Sequence, residues 1–169
     1  MRYGILAGLA AAAMTALVGL GAVNAQAATP TNISAPTAGT ITFVRANASH
    51  ALQNSAENVI TCKPAYSAPH ISTHVPTEIN SVGSVKCSHS MASIVIAIHL
   101  TSNNFTQHPA SDTCRNHGKS SNSCQVNLTC LPNTTYAGGV SMTLTAPAGY
   151  EPPHASWSRS ASFKVKGFC

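Results

Sequence analysis

The stretch MASIVIAIHL, residues 91–100, governs how the rest of the chain is read. Ile94, Ile96, Ile98 and Leu100 fall on one parity, and Val95, Ala97 and His99 on the other. Successive side chains of a strand point to opposite faces, so this spacing gives one unbroken apolar stripe for a core. The same parity recurs elsewhere. CQVNLTC aligns Cys124, Val126, Leu128 and Cys130, and SASFKVKGFC aligns Phe163, Val165 and Cys169 with Lys164 and Lys166 opposite. SVKC aligns Val85 with Cys87, VITC aligns Ile60 with Cys62, and Val140, Met142 and Leu144 alternate further on. About seven such segments are separated by turn residues, and nothing beyond the N-terminus reads as helix. The expected fold is all-β, an antiparallel β-sandwich of immunoglobulin-like kind. TITFVRAN reads as an early strand or as part of a leader, and HISTHVPTEIN is ambiguous. NNFTQHPASDTCRNHGKSSNS, residues 103–123, reads as a long hydrophilic loop.

The N-terminus has a different character. Arg2 precedes ILAGLAAAAMTALVGLGAV, which has no charged side chain, and VNAQAA then offers small residues for cleavage after Ala25 or Ala27. That is the pattern of a helical signal peptide over residues 1–27. The expected organisation is this signal, a Pro/Thr/Ala-rich leader over 28–56, and a β domain over 57–169. The chain is accordingly expected outside the cell, with no stable membrane insertion once the signal is removed.

Charge narrows the function classes. The chain has nine Lys and Arg, four acidic residues and eight histidines. Without Arg2 the net charge is about +4, and the basic residues are scattered instead of gathered into a phosphate-tracking stripe, which argues against nucleic acid. The acids are Glu57, Glu78, Asp112 and Glu151, in turn-like contexts far apart in sequence. They give few combinations for a carboxylate pair. A Ser-His-Asp triad would have to use Asp112, the only aspartate, and no G-x-S-x-G elbow is present.

Six cysteines lie in the expected mature part: Cys62, Cys87, Cys114, Cys124, Cys130 and Cys169. An even count in a small exported domain reads as three disulfides, and six cysteines allow fifteen pairings. The parity of the strands favours Cys62–Cys87, Cys114–Cys124 and Cys130–Cys169. A rival pairs Cys114 with Cys130 and leaves Cys124 for another partner. The gaps of nine and five residues in SDTCRNHGKSSNSCQVNLTC do not match the short C-x(2–4)-C spacing of structural zinc sites.

From Cys62 to Cys169 the order of features is familiar: a Cys-Lys-Pro stretch, V-K-C, alternating isoleucines, close cysteines, C-x(5)-Y, A-P-A-G-Y-x-P-P and a Ser-rich strand ending in cysteine. It resembles an uncharacterised group of small secreted, disulfide-containing proteins of actinobacteria. The anchors are Tyr136, Pro147, Gly149, Tyr150 and the cysteines. The resemblance implies a bacterial, extracellular protein and brings no activity or functional residues.

The function expected is therefore a secreted, non-catalytic binding or surface module whose ligand is an extracellular polysaccharide or protein. No cofactor is expected. Tyr66, Tyr136, Tyr150 and Trp157 are the planar side chains able to stack on a sugar or anchor a partner, with core packing the better reading for Trp157. One alternative is an extracellular zinc or copper protein using His70 and His74 of PHISTHVP. In a strand these two share a face about 13 Å apart, too far for one metal without a bend. Another is a small hydrolase inhibitor presenting the 114–124 loop. Five N-x-S/T sequons occur, at Asn32, Asn47, Asn104, Asn127 and Asn133.

Overall fold

The computed structural model describes residues 39–46 and 55–169. The signal peptide, most of the leader and the sequons at Asn32 and Asn47 lie outside the described residues. The elements are β1 (Ile41–Arg45), β2 (Val59–Ile71), β3 (Glu78–Ser102), β4 (Ala110–Thr129), β5 (Thr135–Thr145), β6 (Tyr150–Glu151) and β7 (His154–Lys164). Every strand pairing is antiparallel, and the described residues contain no helix.

The seven strands form one sheet in the order β6-β1-β2-β3-β5-β7, with β4 paired to β3. Its central device is the β3–β4 ribbon. β3 pairs with β4 almost throughout, from Glu78 opposite Thr129 to Leu100 opposite Ala110. Between Lys86 and Met91 the register breaks. There Cys87–Ser90 of β3 oppose Ser120 alone, and a bulge of this kind bends a ribbon and sharpens its twist. Gly118, with φ of 62°, takes up a left-handed turn on the β4 side of the bend, where a Cβ would be strained.

The bend is large. Ten residues of straight strand would hold Cys114 and Cys124 about 33 Å apart, yet their Cα atoms are 5.5 Å apart and the two are disulfide-bonded. On β3 the same closure brings Gly83 against Ile96. The first half of the ribbon carries β2 and β1 on its flank, and the second half carries β5 and β7. β2 touches β5 and β7 across the interior. Separate sheets were expected; the observed architecture is one continuous sheet curled so that its halves face each other.

The isoleucine stripe lies where its parity places it. Ile94, Ile96, Ile98 and Leu100 are buried between the halves, with Val140, Met142 and Leu144 beside them and Phe43, Ile60, Ile79 and Val85 opposite. Gly83 is a close approach: a Cβ there would sit 2.6 Å from Val140 Cγ2 and 3.2 Å from Ile96 Cγ2. Tyr136 is fully buried, its hydroxyl donating to the Thr129 carbonyl (2.7 Å) and accepting from the Leu131 amide (2.9 Å). That pair of bonds fastens the start of β5 to the end of β4.

Two boundary readings are corrected. Residues 110–123 belong to β4, and only 103–109 form a loop. The error has a cause: most of Ala110–Ser123 is exposed on both parities, so no alternation marks it as strand. The folded body also begins before residue 57, since β1 pairs with β2 and β6 and buries Ile41 and Phe43. The ambiguous HISTHVPTEIN is the end of β2, a turn and the start of β3.

All six cysteines are bonded, as Cys62–Cys87, Cys114–Cys124 and Cys130–Cys169, the pairing favoured by strand parity. Disulfides persist in oxidising compartments, so this is not the design of a protein working among reduced cytosolic thiols.

The packing yields a test. Gly83→Ala overfills the contact between the halves and is expected to cost about 1–3 kcal/mol. Tyr136→Phe removes the acceptor of the Leu131 amide and one of the two donors to the Thr129 carbonyl, and is expected to cost about 1 kcal/mol. Chemical denaturation of both variants checks this; wild-type midpoints would remove these contacts from the account of stability.

Candidate functional site

The candidate ligand rings are dispersed. Tyr136 is enclosed in the core. Trp157 is 5% exposed, with the Arg159 guanidinium carbon 5.9 Å from its ring centroid and a buried Nε1 that makes no hydrogen bond. Tyr66 is half-buried, and its hydroxyl accepts from Ser81 Oγ (3.2 Å). Tyr150 is half-buried at the far end of the sheet, donating to the Glu57 carbonyl (2.9 Å), with the Arg45 guanidinium carbon 6.0 Å from its centroid. These rings are held by their own contacts and do not form a shared platform.

His70 and His74 belong to no group of three potential metal ligands among the described residues. His70 Nδ1 lies 2.8 Å from the Ala68 carbonyl and 3.3 Å from Ser67 Oγ, while His74 lies in the turn after β2. Among the described residues, the one group of three potential ligands is Asp112, Cys114 and Cys124. Its two sulfurs are joined to each other, so neither offers a thiolate.

A different surface emerges from the register. The outward parity of the second half of the sheet carries small and hydroxyl side chains in cross-strand rows. One row runs Ser111, His99, Gly139, Ser160; the next runs Thr113, Ala97, Ser141, Ser158. A third is Arg115, Val95, Thr143, Ser156, and a fourth is His117, Ser93, Thr145, His154. Neighbouring strands lie about 4.8 Å apart and residues two apart on a strand about 6.7 Å. Small side chains at that spacing make an open grid of hydroxyl donors and acceptors. No carboxylate occurs in the four rows, while His99, Arg115, His117 and His154 are all cations or potential cations. His154 Nδ1 is within 3.2 Å of Thr145 Oγ1, which fixes the edge of the grid.

His99 organises one end of the grid. It is exposed, and its ring lies over Gly139: a Cβ at that glycine would come within 2.5 Å of His99 Cε1 and 2.9 Å of Nε2. Two shallow grooves flank the ring. One, of about 500 Å³, is lined by Gly139, Ser141, Ser158 and Ser160; the other, of about 400 Å³, by Thr101, Ala137, Gly138 and Ser162. The adjacent Gly138 faces inward, where a Cβ would sit 2.7 Å from Tyr66 Oη and 3.0 Å from Pro69 Cγ. The Gly-Gly pair thus serves both faces of β5. In the sequence His99 stands out only by its place on the outward parity of the isoleucine strand. The available signal was the run of alternate serines, Ser156, Ser158, Ser160 and Ser162, on the last strand.

The two glycines separate the faces experimentally. Gly138→Ala is expected to destabilise the fold by about 1–3 kcal/mol through overpacking. Gly139→Ala clashes with the exposed far end of the His99 ring and otherwise meets the Arg159 carbonyl at an ordinary contact distance of 3.4 Å, so the melting temperature is expected to hold while the imidazole NMR signals of His99 move. Equal losses of stability in both variants would contradict this assignment of faces.

No protein-family model, curated protein or solved structure matches the chain.

Proposed function

We propose that the protein is a secreted, extracellular, non-catalytic binding module that lays a polysaccharide chain along the outer face of β3, β5 and β7. The immunoglobulin-like sandwich expected from the sequence is part of this reading, with the curled sheet as its two layers. So is an origin among the proteins that actinobacteria export. Three disulfides, which suit an oxidising surrounding, support export.

The observation that carries the reading is the hydroxyl grid with His99 in its end row. A glycan presents rows of hydroxyls that both donate and accept, and a Ser/Thr grid can match either role by rotation of each O–H. An apolar partner would gain nothing from such a surface. The shallow grooves flanking His99 are open to solvent, as a polymer ligand requires. The absence of carboxylates from the four rows leaves neutral and acidic glycans acceptable.

Saturable binding to at least one insoluble polysaccharide in a panel of cell-wall and plant glycans is expected. Ser158→Arg/Ser160→Arg should weaken it at least tenfold. Both residues are exposed on a strand with one hydrogen-bonded neighbour, so stability should change by no more than about 0.5 kcal/mol. Binding unaltered in this variant, or none across the panel, would refute the reading.

A further inference from the structure

The outer grid leaves unexplained the end of the molecule opposite the β3–β4 bend. Four segments meet there: the turn after β2 (72–77), the loop between β3 and β4 (103–109), the turn before β5 (130–134) and the stretch after β7 (165–169). They are tied together. The Cys130 amide donates to the Thr77 carbonyl, Gln107 Nε2 donates to the Thr129 carbonyl, and the Val165 amide donates to the Thr134 carbonyl. The Cys130–Cys169 disulfide completes the assembly.

Among the described residues, the three large apolar side chains left in solvent all lie in these segments: Val75 at 43% exposure, Phe105 at 104% and Phe168 at 93%. A single exposed apolar residue needs no explanation, but concentration of the set at one end does. Neither phenylalanine is on a loose tail. Asn104 Oδ1 accepts from the Thr106 amide and hydroxyl, and the Asn104 carbonyl accepts from the Gln107 amide, so a tight turn presents Phe105. Phe168 precedes a disulfide-bonded cysteine. Rings held outward in this way need little further ordering on docking.

The charge of this end is one-sided. His74, His108, Lys164 and Lys166 lie in or beside the four segments, and Glu78, half-buried at the start of β3, is the one carboxylate side chain within 72–78, 102–110, 129–135 and 164–169. Asp112 is the next nearest along the chain. Exposed rings at an end that also carries the exposed Lys164 and Lys166 fit a surface that is apolar beneath and anionic on top. A second copy of the chain would set like charges against each other.

We propose that this end docks on an anionic lipid surface, with Phe105 and Phe168 entering the boundary between headgroups and acyl chains and Lys164 and Lys166 facing lipid phosphates. This surface is separate from the hydroxyl grid, and the two stand or fall independently.

The test is sedimentation with phosphatidylglycerol-containing and pure phosphatidylcholine vesicles. It uses the chain recovered from the medium of an expressing host, with every variant sharing one N-terminus fixed by intact mass. Binding to the anionic vesicles is expected. Phe105→Ser/Phe168→Ser should weaken it roughly tenfold or more, given the transfer free energy of an aromatic ring. Lys164→Gln/Lys166→Gln should weaken it roughly fivefold per charge. Phe105→Trp should retain binding, and its emission should shift to the blue on anionic vesicles alone, a readout that a folding defect would not produce. Four results would overturn the proposal: no binding to anionic vesicles, equal binding to neutral ones, a serine variant that binds as well as wild type, or a tryptophan emission unmoved by lipid. Concentration-dependent dimers abolished by Phe105→Ser would replace lipid with a protein partner.

Discussion

The closure of the β3–β4 ribbon on itself is the constraint on which the rest depends. A flat ribbon of this length would expose its isoleucine stripe to water. Folding it at the four-against-one bulge sets Gly83 on Ile96 and Cys124 on Cys114, and the apolar parity of both halves becomes a shared interior. The flanking strands follow from that act. β2 extends the first half and β5 the second, so each arrives already facing the other. The glycine at 83 is required by the closeness of the halves, since any side chain there would strike Val140.

The disulfides support this geometry at three distinct places. Cys62–Cys87 joins residues directly opposite on β2 and β3, beside the bend. Cys114–Cys124 clamps the fold of β4, and Cys130–Cys169 secures the opposite end. Each closure contributes about 2–4 kcal/mol, in an amount that depends on the model of the unfolded chain. With only a moderate core, such clamps account for how a chain of few charges holds an open, Ser- and Thr-rich surface in a fixed arrangement.

Strand identity was legible wherever one face is buried. Ile94–Leu100, Val140–Leu144 and the cysteine-bearing strands announced themselves by alternation, and the same parity led to the disulfide pairing. The first half of β4 was not legible, because Ser111, Thr113, Arg115 and His117 on one side are matched by exposed or half-exposed polar residues on the other. The bend was equally hidden, since SHS and KSS are ordinary polar tripeptides whose meaning comes from the register between them. Candidate rings were chosen by residue type, and type does not reveal that Tyr136 is captured by Thr129 and Leu131. The surface now favoured contains no aromatic anchor. Only the cross-strand register shows that alternate serines, a glycine and one histidine lie side by side.

Sharing β3 and β4 between the two halves also removes any seam along which the molecule could come apart. In a protein of two separate sheets, one layer can peel from the other while keeping its own hydrogen bonds. Here the layers are lengths of the same two strands, so opening one must break the register of the other at the bulge. Unfolding should therefore be cooperative, with few partly open forms. Wherever proteases attack what opens transiently, that lack of intermediate states protects the chain beyond what its net stability would provide.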